Sequence, residues 1–179
     1  MFDLYKTLIG DFTVKKDNIV LIGMPGSGKS TAGVVLAKIL GYNFLDSDLL
    51  IQETTGKLLH ELITEYGNDG FLKIENDINA GIDVHNTVIS PGGSVIYGAD
   101  AMKHLADIGT IVYLKLTYET LEKRLANLKD RGVVLKAGQT LLDLYNERTV
   151  LYEKYAHITI DEAGLSVEDT VSKIIKAIQ

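Results

Sequence analysis

Short apolar runs rich in β-branched residues alternate along this chain with longer stretches in which apolar residues recur every three or four positions. The short runs are NIVLIG (18–23), YNFLD (42–46), TVIS (87–90), TIVYLKL (110–116) and HITID (157–161). Most are apolar at consecutive positions, as strands are when both faces of a sheet are covered. The longer stretches predict helices over GKSTAGVVLAKIL (28–40) and near 58–66, 70–83, 99–107, 118–127, 140–155 and 166–178. Gly41 stops the first of these, where a left-handed cap suits glycine. The last opens on Ser166-x-x-Asp169, a capping-box pattern with Asp in the usual place of Glu or Gln, and carries an apolar stripe for packing on a sheet. Alternation of this kind predicts an α/β fold: a five-stranded parallel sheet with helices on both faces.

At 179 residues and 46% apolar, the chain predicts one domain with one sizeable core, spanning residues 1–179. No internal repeat, low-complexity segment or linker interrupts it. The absence of cysteine excludes a disulfide framework, thiolate metal sites and cysteine nucleophiles, and fits a reducing, cytoplasmic location. A net charge of −6 has the wrong sign for a chain that coats nucleic acid, so a small-molecule partner is favoured. Runs such as IVLIG (19–23) fall far short of a membrane span. The first seventeen residues, MFDLYKTLIGDFTVKKD, lack the marks of a secretory signal and predict an ordinary leader packed on the domain.

The most informative stretch is GMPGSGKST (23–31). Gly23 to Ser30 satisfies G-x-x-x-x-G-K-[ST] in full, directly after a strand and directly before a helix. Glycines let the backbone wrap an anion with its N–H groups inward, and the helix N-terminus adds partial positive charge. Lys29 is placed to reach the β- and γ-phosphates of a nucleoside triphosphate, and Ser30 to offer its hydroxyl to Mg²⁺.

Other segments supply candidates for the acceptor side. Asp46 and Asp48 in FLDSDLL fall at the carboxyl end of the second strand, where ligands gather in open α/β sheets. If that segment stays extended, both carboxylates point one way; one can hold the metal while the other orients or deprotonates an attacking hydroxyl. SPGGS (90–94) ends the third strand with two glycines, which serve either a plain turn or a close backbone approach to a ligand. The segment KDRG (129–132) reads as a lid that brings Arg131 over the phosphoryl group, or as a charged surface loop. Arg148, on an amphipathic helix, reads by itself as solvated or salt-bridged. The four histidines show no metal-ligand spacing and are expected to be structural or at the surface; Tyr145, Tyr152 and Tyr155 suit the core or its rim.

Taken in order, these features resemble the shikimate kinases, P-loop kinases of the nucleoside-monophosphate-kinase-like fold with a small lid, from about residue 18 to the C-terminus. The P-loop and the D-x-D of FLDSD match; the family's F-R-x-x-E stands here as FLKIE, its G-G-G as GGS, its lid R-P-L-L as RGVV and its R-x-P-L-Y as RTVLY. The resemblance implies ATP held by Gly26, Ser27, Gly28, Lys29, Ser30 and Thr31, with Arg124 beside the adenine and Mg²⁺ held by Ser30 and Asp46. It implies Asp48 as base on the substrate hydroxyl, Arg131 on the phosphates from a lid at about 128–138, and Arg148 on the substrate carboxylate. It is further expected that Glu75, Gly92, Gly93 and Ser94 join Asp48 and Arg148 around the acceptor, and that Lys29, Asp48 and Arg131 carry the catalysis.

Leu72 stands where the family has an arginine. Residues 72 and 75 share a helix face, whereas Lys73 is rotated by about 100° and finds its partner in Asp77 at i+4. Leu72 is expected to add apolar surface and Ser94 a hydroxyl beside the acceptor, while the prolines after Arg131 and before Leu151 are missing. The first reading is therefore an ATP- and Mg²⁺-dependent kinase for shikimate, working as a monomer without nucleic acid or membrane. The second is a kinase for a less anionic hydroxylated metabolite. A non-catalytic nucleotide-binding protein is the third, and retention of Lys29, Ser30, Asp46, Asp48 and Arg131 argues against it.

Overall fold

The computed structural model describes residues 16–126 and 138–179. Arg131, the expected lid apart from Gly138, and the leader over 1–15 lie outside the described residues. The order of elements is β1 (Asn18–Ile22), α1 (Lys29–Leu40), β2 (Asn43–Asp46), α2 (Ser47–Thr55), α3 (Leu59–Ala80) and β3 (Thr87–Ser90). A 3₁₀ turn (Val95–Tyr97) leads to α4 (Ala99–Ile108), β4 (Gly109–Lys115), α5 (Tyr118–Ala126), α6 (Leu141–Tyr155), β5 (Ile158–Asp161) and α7 (Val167–Ile178). All four strand pairings are parallel, and the sheet runs β2-β3-β1-β4-β5.

Every residue of β1 is buried, as its unbroken apolar run requires of a central strand. Side chains alternate between the faces of the sheet and so divide the core into two layers. Val20 and Ile22 pack with Ile89, Ile111 and Tyr113 against Met102 and Leu105 of α4 and Leu144 and Tyr152 of α6. Ile19 and Leu21 pack with Val88, Val112 and Leu114 against Leu36 of α1 and Val171 and Ile174 of α7. Each fully buried aliphatic side chain in these layers contributes roughly 1.5–3 kcal/mol. The five expected strands and the helices on both faces are all present.

Two local differences from expectation bear on the site. β2 ends at Asp46 and the chain turns at once into α2, a helix the periodicity missed. Asp46 is the N-cap residue, its side chain accepting a hydrogen bond from the Asp48 backbone N–H, and Gly56 closes the helix in a left-handed conformation. The segments expected at 58–66 and 70–83 form one helix, α3, broken at Gly67 (φ 69°, ψ 179°) and ending at Ala80. Gly41 caps α1 at φ 70°, and Ser166 with Asp169 forms the reciprocal cap of α7, both as the sequence predicts. Among the described residues no helix is long and apolar enough to cross a membrane.

Candidate active site

The turn between β1 and α1 folds into a cradle. Gly28, the N-cap residue of α1, sits at φ 88°, a left-handed conformation that disfavours any side chain. The Ser27 N–H donates to Met24 O at 3.0 Å, closing the turn. Lys29 is 8% exposed, and its ammonium donates to Gly23 O at 2.9 Å and Met24 O at 3.1 Å. Two carbonyls thus hold the cation at the mouth of a helix N-terminus, where an anion is favoured. Ser27 is fully buried in the turn itself. Arg124, on α5, donates to Gly26 O at 3.1 Å and stands 3.9 Å from Glu162.

The carboxyl ends of β2 and β3 meet beside this cradle. Asp46 pairs in register with Ser90, and the Ser30 hydroxyl donates to Asp46 Oδ2 at 2.9 Å while lying 3.4 Å from Ser90 Oγ. Asp46 Oδ1 accepts from the Asp48 N–H at 3.0 Å. The two aspartates therefore converge by helix capping, not by strand alternation: Asp48 occupies the first turn of α2, with Ser47 buried between them.

A third wall comes from the turn after β3 and from α6. A methyl group on Gly92 would lie 2.5 Å from Glu75 Oε1 and 2.9 Å from Asp48 Oδ1, so a side chain here would push both carboxylates aside. One on Gly93 would lie 3.2 Å from Arg148 Nη1. The Tyr152 hydroxyl donates to Gly93 O at 2.6 Å and ties this turn to α6. Arg148 is 3% exposed, its guanidinium 5.4 Å from the centre of the Tyr97 ring, and its Nε donates to the Tyr97 hydroxyl at 3.4 Å. Its burial overturns the expectation of a solvated arginine, because the Tyr97 ring that covers it comes from a distant element. Glu75, 1% exposed, is pushed up to about 7, chiefly by burial. A hydrogen bond from Ser94 and the charges of Arg148 and Lys29 oppose that shift, and Asp48 reinforces it.

These walls enclose one cavity of about 520 Å³. Gly26, Gly28, Lys29, Ser30, Thr31 and Asp46 line one part; Asp48, Glu75, Gly92, Gly93, Ser94 and Arg148 line another. A chain whose P-loop and acidic strand end share one cavity has the plan of a phosphoryl transferase. The sequence model of shikimate kinases matches residues 25–179. The chain belongs to the shikimate kinase family. It is an ATP-dependent small-molecule kinase. A shikimate kinase of Clostridium botulinum (strain Okra / Type B1) is 41% identical over 165 residues, covering 90% of this chain and 95% of the relative. One from Thermodesulfovibrio yellowstonii is 35% identical, covering 89% and 93%. The solved shikimate kinase of Acinetobacter baumannii, in complex with shikimate, superposes with a TM-score of 0.81 at 32% identity, covering 90% of this chain and 92% of that one.

Leu72 is half-buried and does not line the cavity; on α3 beyond the break at Gly67 the residues facing it are Phe71 and Glu75, one turn apart. The expected apolar surface from Leu72 is instead supplied by Phe71 with Leu49, Leu58, Leu59 and Ile63. Lys73 pairs with Asp77 at 2.6 Å on the solvent side, as its spacing predicts. Ser27 and Arg124 also lie outside the cavity lining, Ser27 inside the turn and Arg124 behind it at Gly26. Sequence reasoning gave no site role to Tyr97, Gln52 and His60, which stand in no motif, and placed Tyr152, the last residue of RTVLY, only in the core or its rim.

Proposed function

We propose that this chain transfers the γ-phosphoryl group of ATP to a hydroxyl of shikimate. The observation that carries this reading is the single cavity joining the P-loop to Asp48, Glu75 and Arg148, so that a triphosphate end and a hydroxylated acid fit side by side. The acceptor oxygen attacks the γ-phosphorus, the bond to the ADP oxygen breaks, and Asp48 orients the hydroxyl and takes its proton. Lys29 and Arg131 neutralise the transferring group, the backbone of Gly26, Ser27 and Gly28 with Thr31 holds the phosphates, and Arg124 serves the adenine end. Arg148, buried against Tyr97, holds the acceptor carboxylate as a preorganised cation.

The donor set at Ser30, Asp46 and Ser90 is all oxygen, which suits a hard cation held by few protein groups. Ser30 and Asp46 would hold Mg²⁺, which when bound supplies charge neutralisation at the β- and γ-phosphate oxygens. The net charge of −6 supports the absence of a nucleic-acid partner and the lack of cysteine a cytoplasmic location; the enzyme is read as a monomer of one domain without a membrane partner. A coupled ADP-release assay with Mg²⁺-ATP and shikimate tests the function directly. ADP release that depends on shikimate, with a phosphate ester recovered by mass spectrometry, is the expected result; release that responds instead to another hydroxy acid or an uncharged polyol overturns the acceptor.

A further inference from the structure

Glu75 is a buried acid without a cation of its own. It is 1% exposed, its Oε1 has no hydrogen-bond partner, and among the described residues no ion pair reaches it. Its own helix offers Leu72 one turn back and Lys73, whose ammonium is bound to Asp77. Yet its carboxyl group lines the acceptor part of the cavity, where Glu75 Oε1 and Asp48 Oδ1 lie within 2.5 and 2.9 Å of a single point above Gly92.

A desolvated carboxylate with no ion-pair partner beside a second carboxylate is costly, and a third negative charge arriving on the acceptor would make it more so. The groups that face Glu75 are Asp48 from α2, Lys29 from α1, Arg148 from α6 and Ser94 from the turn after β3. Asp100 of α4 is turned to Asn76. The net result of these neighbours and of burial is a carboxyl group that holds its proton up to about pH 7.

We propose that Glu75 meets the acceptor as an un-ionised carboxylic acid and donates a hydrogen bond to the acceptor's carboxylate beside Arg148, so that acceptor binding depends on one retained proton. This rests on the shikimate reading above. Ionisation of Glu75 removes the donor and adds a repelling charge, and both effects weaken binding. The nucleotide half of the cavity is unaffected in charge, so the dependence belongs to the acceptor alone.

Initial rates are measured against shikimate at saturating Mg²⁺-ATP from pH 6 to 8.5 for the native chain, Glu75→Gln and Glu75→Ala. The native KM for shikimate rises about tenfold per pH unit once Glu75 ionises. Glu75→Gln, which keeps a donor and cannot ionise, loses that slope; Glu75→Ala also loses it, and its KM is raised about tenfold at every pH, with less change in kcat. His60 lines the same cavity, so His60→Asn is run alongside and retains the native slope. A native KM that is flat with pH, a slope that survives in Glu75→Gln, or a slope lost in His60→Asn overturns the proposal. If the native chain phosphorylates no shikimate at any pH, the acceptor assignment fails, and the proton is read from melting. Melting temperatures of the native chain that fall relative to Glu75→Gln between about pH 4.5 and 7 support it, and parallel curves overturn it.

Discussion

Replacing Gly92 by alanine probes whether the carboxylates of the site are held in place by the backbone opposite them. Gly92 does not have a positive φ, so the backbone itself accepts alanine. The added methyl would meet Glu75 Oε1 at 2.5 Å and Asp48 Oδ1 at 2.9 Å. To reach an ordinary contact of 3.4 Å the two oxygens must retreat by about 0.9 and 0.5 Å respectively. Both are ends of side chains, so the strain is relieved by small rotations and the fold loses on the order of 1–3 kcal/mol. The chemistry loses as well: Asp48, proposed to orient the attacking hydroxyl, is displaced by about 0.5 Å and Glu75 beside it by about 0.9 Å, and since misplacement of about 1 Å costs about 10²-fold, the rate falls on the order of 10-fold. Steady-state kinetics with Mg²⁺-ATP and shikimate, paired with thermal melts, separate the two effects. A Gly81→Ala variant, whose methyl would meet nothing closer than 3.6 Å and which lies outside the cavity lining, serves as the control. Native kcat/KM in a folded Gly92→Ala protein would falsify the claim that these carboxylates act from the positions they hold here.

Asp46→Asn keeps a side chain able to cap α2, so the melting temperature changes little, while the Mg²⁺ concentration for half-maximal rate rises roughly 10–100-fold; an unchanged Mg²⁺ requirement counts against the metal assignment. Tyr152→Phe removes the 2.6 Å bond to Gly93 O and leaves that carbonyl without its partner, which costs about 1–3 kcal/mol in chemical denaturation and lowers kcat/KM through the loosened turn. Glu162, 6% exposed and 3.9 Å from Arg124, is pushed up to about 7, chiefly by burial. Its folded value lies above its ordinary 4.5, so its contribution is fully present below about pH 4.5 and lost as pH rises through 7. Glu162→Gln removes up to about 3 kcal/mol of that pH dependence, and identical denaturation curves at pH 5 and pH 8 in the native chain would contradict it.

The phosphate cradle was legible in the sequence because all its parts are contiguous: a strand, a turn that glycine permits and a helix start need only local backbone geometry. The five strands were legible for a related reason, since burial on both faces writes itself as an unbroken apolar run. α2 was not, because what starts it is the cap at Asp46, and the same carboxylate also accepts from Ser30 sixteen positions earlier. Arg148 looked like a surface residue because nothing near it in sequence shows that Tyr97 covers it and that Gly93 comes within reach. The substitution at Leu72 was visible, but its consequence was not. Whether it added apolar surface to the acceptor or left Glu75 without a charge partner depended on which side of α3 faces the cavity. Local hydrogen bonding and periodic burial are properties of short stretches, and the sequence by itself determined them. The burial of a charge and the company of a carboxylate are set by side chains from distant elements, and only the tertiary structure decided those.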